Sequence, residues 1–242
     1  MEEQVINGKR IIAIVPARQR SKGLAKKNVI DFLGKPLLVW SIESALKSNY
    51  IDRIIVSTDS MEIAGIGEKF GADLPFIRPS YLSEDNSKSV DVIFHAIEFM
   101  REKLGENFDF VVLLEPTSPL RTSEDIDLAL EKLISSPNAR SIVSVGKSES
   151  QHNTLQFNIT ESEFISAEPT SRNFLHTRRQ DLAKSYFLDG TIYISYIHTL
   201  FEFSSFVHKK TLTLSLPKWK NIEIDDEYDY VMALALGRKY LK

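Results

Sequence analysis

Cysteine is absent from all 242 residues, which excludes structural disulfides, thiolate metal sites and a cysteine nucleophile together. An excess of basic charge is missing too. Thirty Lys and Arg against 33 Asp and Glu give a formal net charge of −3, so the whole chain makes no electrostatic case for nucleic acid. No apolar run approaches the ~20 residues of a membrane helix. The opening Met1-Glu2-Glu3-Gln4 lacks the basic n-region of a secretory signal. Internal repeats and low-complexity tracts are also lacking. The expectation is a soluble cytoplasmic protein that engages neither membrane nor nucleic acid. What is present is ordinary for a globular chain: 43% hydrophobic and 26% charged residues, with length enough for a substantial core. At roughly 100–200 residues per domain, one large domain over 1–242 with an insertion is expected.

Short apolar runs alternate with helix-like segments. Residues 11–15 form a β-branched run that Pro16 stops, and 36–48 carry apolar side chains at a helical period. Residues 53–57 read as a strand. Ser60 caps a following helix that ends near Gly71, and 74–77 read as a short strand. An amphipathic helix begins at Ser89 and closes at Gly105. A strand over 109–114, a helix from Thr122 or Ser123 and a strand over 141–145 continue the rhythm. The stretch 146–183 breaks it: polar, weakly periodic, with Arg172, His176, Arg178 and Arg179 beside Leu155, Phe157, Ile159 and Phe164. Strands return at 190–197 and 211–216, and a helix over 225–241 ends the chain. This order predicts an α/β fold, Rossmann-like, with a mostly parallel sheet and helices on both faces. In such sheets ligands bind beyond the carboxyl ends of the strands.

Three loops carry chemistry. The first, residues 16–28, holds Arg18, Arg20, Lys22, Lys26 and Lys27 without one acid, a composition suited to polyphosphate. It matches neither the Walker A spacing nor G-x-G-x-x-G, and a solvated basic loop is the competing reading. The second, Glu115-Pro116-Thr117-Ser118-Pro119-Leu120-Arg121, is stiffened by two prolines; it is either a substrate-holding loop or a rigid connector. The third contains Glu223 and Asp225. In extended backbone, side chains two apart share a face, and two hard oxygens on one face suit Mg²⁺. Asp226 and Glu227 instead complement the dipole of the last helix. The five histidines show no metal-like spacing.

The blocks IIAIVPARQRSKGLAKKN (11–28), RIIVSTD (53–59), RPSYL (78–82), LLEPTSPLR (113–121), DGTIYI (189–194) and EIDDEYD (223–229) together resemble the CMP-sialic acid synthetases, the acylneuraminate cytidylyltransferases. Six blocks in the right order span nearly the whole chain. The resemblance implies Mg²⁺-dependent transfer of CMP from CTP to a 2-keto-3-deoxy sugar acid by a homodimer, with the 146–183 insertion reaching the partner. It places Arg18, Ser21 and Lys22 at the phosphates, with Arg18 and Lys22 catalytic. Lys27 and Asn28 fall on the family's lysine–asparagine pair, Asn28 near the cytidine. Arg78 and Ser89 match further nucleotide contacts, although Ser89 equally suits a helix N-cap. Thr58 and Asp59 match a structural turn. Glu115 stands where relatives usually carry an acceptor-binding glutamine, and Asp189 where they carry asparagine. Arg179, Gln180 and Tyr193 are implied at the acceptor, with Phe187 beside them. Glu223 and Asp225 occupy the metal-binding acid–x–acid pair.

The implied reaction is attack by the anomeric hydroxyl of a nonulosonic acid on the α-phosphorus of CTP, with pyrophosphate leaving. The product is of the kind that lipopolysaccharide or capsule biosynthesis consumes. Alternatives are 3-deoxy-manno-octulosonate or its amino variant as acceptor, and an inactive nucleotide-binding relative. No residue stands out as general base.

Overall fold

The structure, a computed structural model, describes residues 6–21, 23–148, 158–164, 178 and 181–241. Its main sheet has six strands in the order β4-β1-β5-β7-β6-β8. These are β1 (Ile11–Pro16), β4 (Arg53–Ser57), β5 (Phe110–Leu113), β6 (Ser141–Lys147), β7 (Tyr186–Tyr196) and β8 (Thr211–Ser215). A two-stranded ribbon pairs β2 (Asp31–Phe32) with β3 (Lys35–Pro36). In the main sheet β1 runs parallel to β4 and β5, and β6 parallel to β8. Only β7 opposes its neighbours, β5 and β6. The sheet is therefore mostly parallel, as the sequence predicts.

Why β1 lies inside the sheet, between β4 and β5, follows from its side chains. Ile11, Ala13 and Val15 point to one apolar cluster, Ile12 and Ile14 to the other, and all five are fully buried. A strand apolar on both faces needs helices on both faces. Helices α1 (Leu37–Leu46), α2 (Met61–Lys69) and α4 (Ser123–Ile134) contribute to the first cluster. Helices α3 (Ser89–Leu104) and α5 (Ile197–Phe203) contribute to the second. A third cluster joins Phe32, Leu37 and Leu120 to Ile224 and to Ala233 of α6 (Glu227–Tyr240). Among the described residues no helix is long and apolar enough to cross a membrane.

The helix ends agree with their sequence signals. Ser60 accepts from the Ile63 amide, Gly105 adopts φ +69 to close α3, and Asp125 accepts from the Thr122 amide at 2.9 Å. Two expectations need correction. Residues 74–77 form no strand; only Asp73 bridges Ile55, because Pro75 has no N–H to extend the ladder. Ser89 is not an N-cap: Lys88 holds that position, extended and without a side-chain bond. Sheet structure also reaches into the expected insertion, since Gly146 pairs with Phe187 and Lys147 with Tyr186. Residues 149–157, 165–177, 179 and 180 of that insertion, which include Leu155, Phe157, Arg172, His176, Arg179 and Gln180, lie outside the described residues.

Candidate active site

The basic loop leaves β1 at its carboxyl end and is held from several sides. The Ala17 amide donates to Ser57 O at 2.9 Å, and Asn28 Nδ2 donates to Arg18 O at 2.9 Å. Gly23 lies so close to the acid segment that a Cβ there would stand 2.1 Å from the carbonyl oxygen of Asp225. Only glycine permits that approach. The loop therefore rests directly on the backbone that carries the acid pair, and Lys27 Nζ donates to Asp225 Oδ1 at 2.8 Å.

Between them opens a cavity of about 560 Å³. Arg18, Ser21, Lys27, Asn28 and Arg78 line one part of it, with Ser89, Glu115, Glu223 and Asp225 on the rest. Lys22 lies outside the described residues. Arg18 donates through Nη1 to Glu84 O at 3.1 Å and to Asp85 Oδ1 at 3.0 Å. Arg78 is buried, and its guanidinium donates to Ser57 O at 2.8 Å and Leu82 O at 3.3 Å. It thus braces the cavity wall while its charge faces the site. Burial brings its pKa down to about 10, which still leaves it cationic.

The acid pair behaves as alternation predicts, although residues 221–225 form no strand. Ile224 is fully buried between exposed Glu223 and Asp225, and its amide donates to Thr117 O at 2.8 Å. Burying that isoleucine, worth about 1.5–3 kcal/mol, fixes both carboxylates on the cavity side. Thr117 Oγ1 donates to Glu223 Oε1 at 3.3 Å. Desolvation, then the neighbouring Asp225, hold the Glu223 carboxyl above the usual range. Two crowded hard oxygens of this kind fit a divalent cation, which would relieve their repulsion. Lys27, whose side chain is only 15% exposed, pairs with Asp225 and would share that carboxylate with such a cation. Among the described residues no group of three His, Asp or Glu could hold a metal alone, so the pair would need substrate oxygens. Asp226 caps α6 reciprocally with Asp229, separating its role from that of Asp225.

A second cavity of about 240 Å³ adjoins the first, and the two share Ser89, Glu115 and Glu223. Val90, Leu113, Tyr193 and Phe206 complete much of its wall. Tyr193 stacks obliquely on Phe206 with centroids 5.6 Å apart; burial pushes its phenol up to about 12. Phe187 lies elsewhere, its ring over Gly146. Glu115 is the hinge between the cavities. Burial first, and the charge of Glu223 second, push its carboxyl up to about 7.

Several supports were not legible as motifs. Arg121, buried and lowered to about 10 by desolvation, donates to Thr191 O, to Ser41 Oγ and to the backbone carbonyl of Glu115. That last bond reaches the carbonyl rather than the carboxylate, so Arg121 stiffens the loop alongside its prolines. Buried Lys220 pairs with Asp125. Buried Asp189 accepts from Ser144 Oγ, from the Thr191 amide at 3.0 Å and from Asn221 Nδ2. Nothing in residue spacing marks such contacts between distant segments.

A basic loop after β1 and an acid pair tied to the loop after β5 thus meet on one side of the sheet. The cytidylyltransferase profile matches residues 12–220. An N-acylneuraminate cytidylyltransferase of Escherichia coli is 30% identical over 95% of this chain and 52% of its own length. The chain thus spans about half of that relative. A CMP-N,N'-diacetyllegionaminic acid synthase of Legionella pneumophila is 32% identical over 92% of this chain and 94% of its own length. A CMP:2-keto-3-deoxy-manno-octonic acid synthetase solved with CTP shares the fold, with a TM-score of 0.67 at 16% identity over 95% of this chain and 99% of that one. The chain belongs to the cytidylyltransferase family, within its CMP-sialic acid synthetase group.

Proposed function

We propose that this chain transfers CMP from CTP to the anomeric hydroxyl of a nonulosonic, sialic-acid-like 2-keto-3-deoxy acid, releasing pyrophosphate. The observation that carries the reading is the junction of two cavities over Ser89, Glu115 and Glu223, one with Arg18, Lys27 and Arg78 beside the acids Glu84, Asp85 and Asp225 in its lining, the other without a cation among the described residues. In this reading CTP fills the larger cavity and the acceptor the smaller, so the attacking oxygen meets the α-phosphorus at their boundary. In-line phosphoryl chemistry depends on positioning and charge stabilisation rather than on covalent help. Arg18 and Lys22 neutralise the phosphates, Ser21 hydrogen-bonds them, and the first turn of α3 at Ser89 adds its positive dipole end. Asn28 holds the loop at Arg18 O and borders the cytidine. Arg179, Gln180 and Tyr193 orient the acceptor. Glu223 and Asp225 would hold Mg²⁺, which would supply charge neutralisation for the phosphates. The working protein is a homodimer with one nucleotidyltransferase domain over 1–242.

The test is pyrophosphate release from CTP and Mg²⁺ with a panel of nonulosonic and octulosonic acids. Product is expected with CTP plus a nonulosonic acid, and not with ATP or with CTP alone. Preference for an octulosonic acid would move the acceptor assignment to eight carbons. Turnover of UTP or dTTP with a sugar 1-phosphate would overturn the reading.

A further inference from the structure

Behind the acid pair lies a polar anchor that the reaction itself does not use. Asp189 is 3% exposed, and three donors converge on its side chain: the Ser144 hydroxyl, the Thr191 amide at 3.0 Å and the Asn221 amide. An ionised carboxylate accepts at both oxygens and donates from neither, so it satisfies all three without conflict. An asparagine, expected here by resemblance, would offer only one oxygen to them.

Asn221 begins the segment that carries Glu223 and Asp225. That segment is tied down at its other points as well. Thr191 Oγ1 donates to Lys220 O at 3.5 Å, and the Ile224 amide donates to Thr117 O at 2.8 Å. Next to Asp189, Gly190 adopts φ +72, and a Cβ there would stand 2.7 Å from Glu223 Oε2. The Glu223 carboxylate is therefore seated on the β7 backbone one residue beyond the anchor. Side chain and main chain of the same two β7 residues thus hold both the start of the segment and its first carboxylate.

We propose that Asp189 is a positioning residue: through Asn221 it sets the height and rotation of segment 221–225, and so the separation of Glu223 from Asp225. The proposal rests on the reading of those two residues as cation ligands. Its logic is directional, because Asp189 must accept and Asn221 must donate. Asn221→Asp replaces the amide donor by a second acid facing Asp189. Exchanging the pair, Asp189→Asn with Asn221→Asp, restores one donor and one acceptor across the same gap.

The experiment compares the wild-type chain, Asn221→Asp and the exchanged double variant. Mn²⁺ binding in the presence of CTP is followed by paramagnetic resonance, and amide exchange of residues 221–225 by mass spectrometry, without metal. Asn221→Asp should weaken Mn²⁺ binding roughly 10–100-fold, the usual consequence of losing an outer-shell partner, and speed exchange at Ile224. The double variant should recover both. Asn221→Ala, which deletes the donor without adding charge, replaces the single variant if that one does not fold. Unchanged Mn²⁺ affinity in a folded single variant would overturn the proposal, as would failure of a folded double variant to recover either quantity. If the wild-type chain binds no Mn²⁺ while exchange responds as expected, the ligand reading falls and the Asp189 tether stands.

Discussion

Glu115 stands where glutamine is expected by resemblance, on the boundary of both cavities, and is an ionised carboxylate only above about pH 7. Glutamine donates and accepts, whereas ionised glutamate only accepts. A mismatched buried polar group costs about 1–3 kcal/mol, so Glu115→Gln should reorder kcat/KM among nonulosonic acids while leaving KM for CTP nearly unchanged. The same substitution has a stability signature. Because the folded-state pKa is raised to about 7, the folded chain holds a proton there that the unfolded chain loses near 4.5. The associated stability is complete below that lower value and is lost as pH rises through about 7. Glu115→Gln should therefore melt higher than wild type at pH 8, by roughly 1–3 kcal/mol, and the difference should vanish below pH 4.5. A melting series across that interval, beside an acceptor panel, measures both effects. A variant that melts lower at every pH and keeps the acceptor ranking would assign Glu115 to structure alone.

The elements show which features a single sequence discloses. Charge composition exposed the 16–28 loop, and period-two alternation put Glu223 and Asp225 on one side even without a strand. Local signals of this kind survive folding because neighbouring residues determine them. Contacts between distant segments left no trace: the support of Gly23 on Asp225, the hold of Arg78 on Ser57 and Leu82, the anchor at Asp189. Short elements were also invisible, among them α5 and the β2–β3 ribbon, since seven residues or two barely establish a period. The first residues of β7, Tyr186, Phe187 and Leu188, are half-exposed and precede the strand expected over 190–197. The loop itself provides the direct test. Arg18→Ala and Lys22→Ala should each lower kcat/KM by about 10²–10³, the typical cost of one lost charge contact in the transition state, with the melting temperature preserved. Near-normal turnover by either folded variant would remove that residue from the machinery.

At the scale of the molecule, the sheet has two regions of different character. The carboxyl ends of β1 and β5 carry the cavities, while the β6–β7 pairing runs on as far as Lys147 and Tyr186, at the two ends of the 146–183 region. Described residues in and beside that region include exposed Ile159 and Phe164 within it and Tyr186 and Phe187 just after it, the aromatic and aliphatic mixture common at interface cores. A dimer formed through this region is the expected state. Sedimentation at micromolar concentration should give twice the chain's 27.6 kDa, and removing residues 149–177 should give a monomer. A fully active wild-type monomer would contradict that assembly.

The single reversed strand has a consequence for how the chain comes into being. Order β4-β1-β5-β7-β6-β8 means that β7 alone joins the three strands made first to β6 and β8. During synthesis, the finished edge of β5, entirely buried and apolar at Phe110–Leu113 in the mature sheet, waits for Tyr186–Tyr196 to leave the ribosome. Until then its amides and carbonyls have no partner, and β6 has no sheet to join. An open, hydrophobic edge is a template for pairing with other chains, and delayed long-range closure lengthens its exposure. The vulnerable moment in the life of this protein therefore precedes the completed sheet, and a pause in translation between β6 and β7 would prolong it.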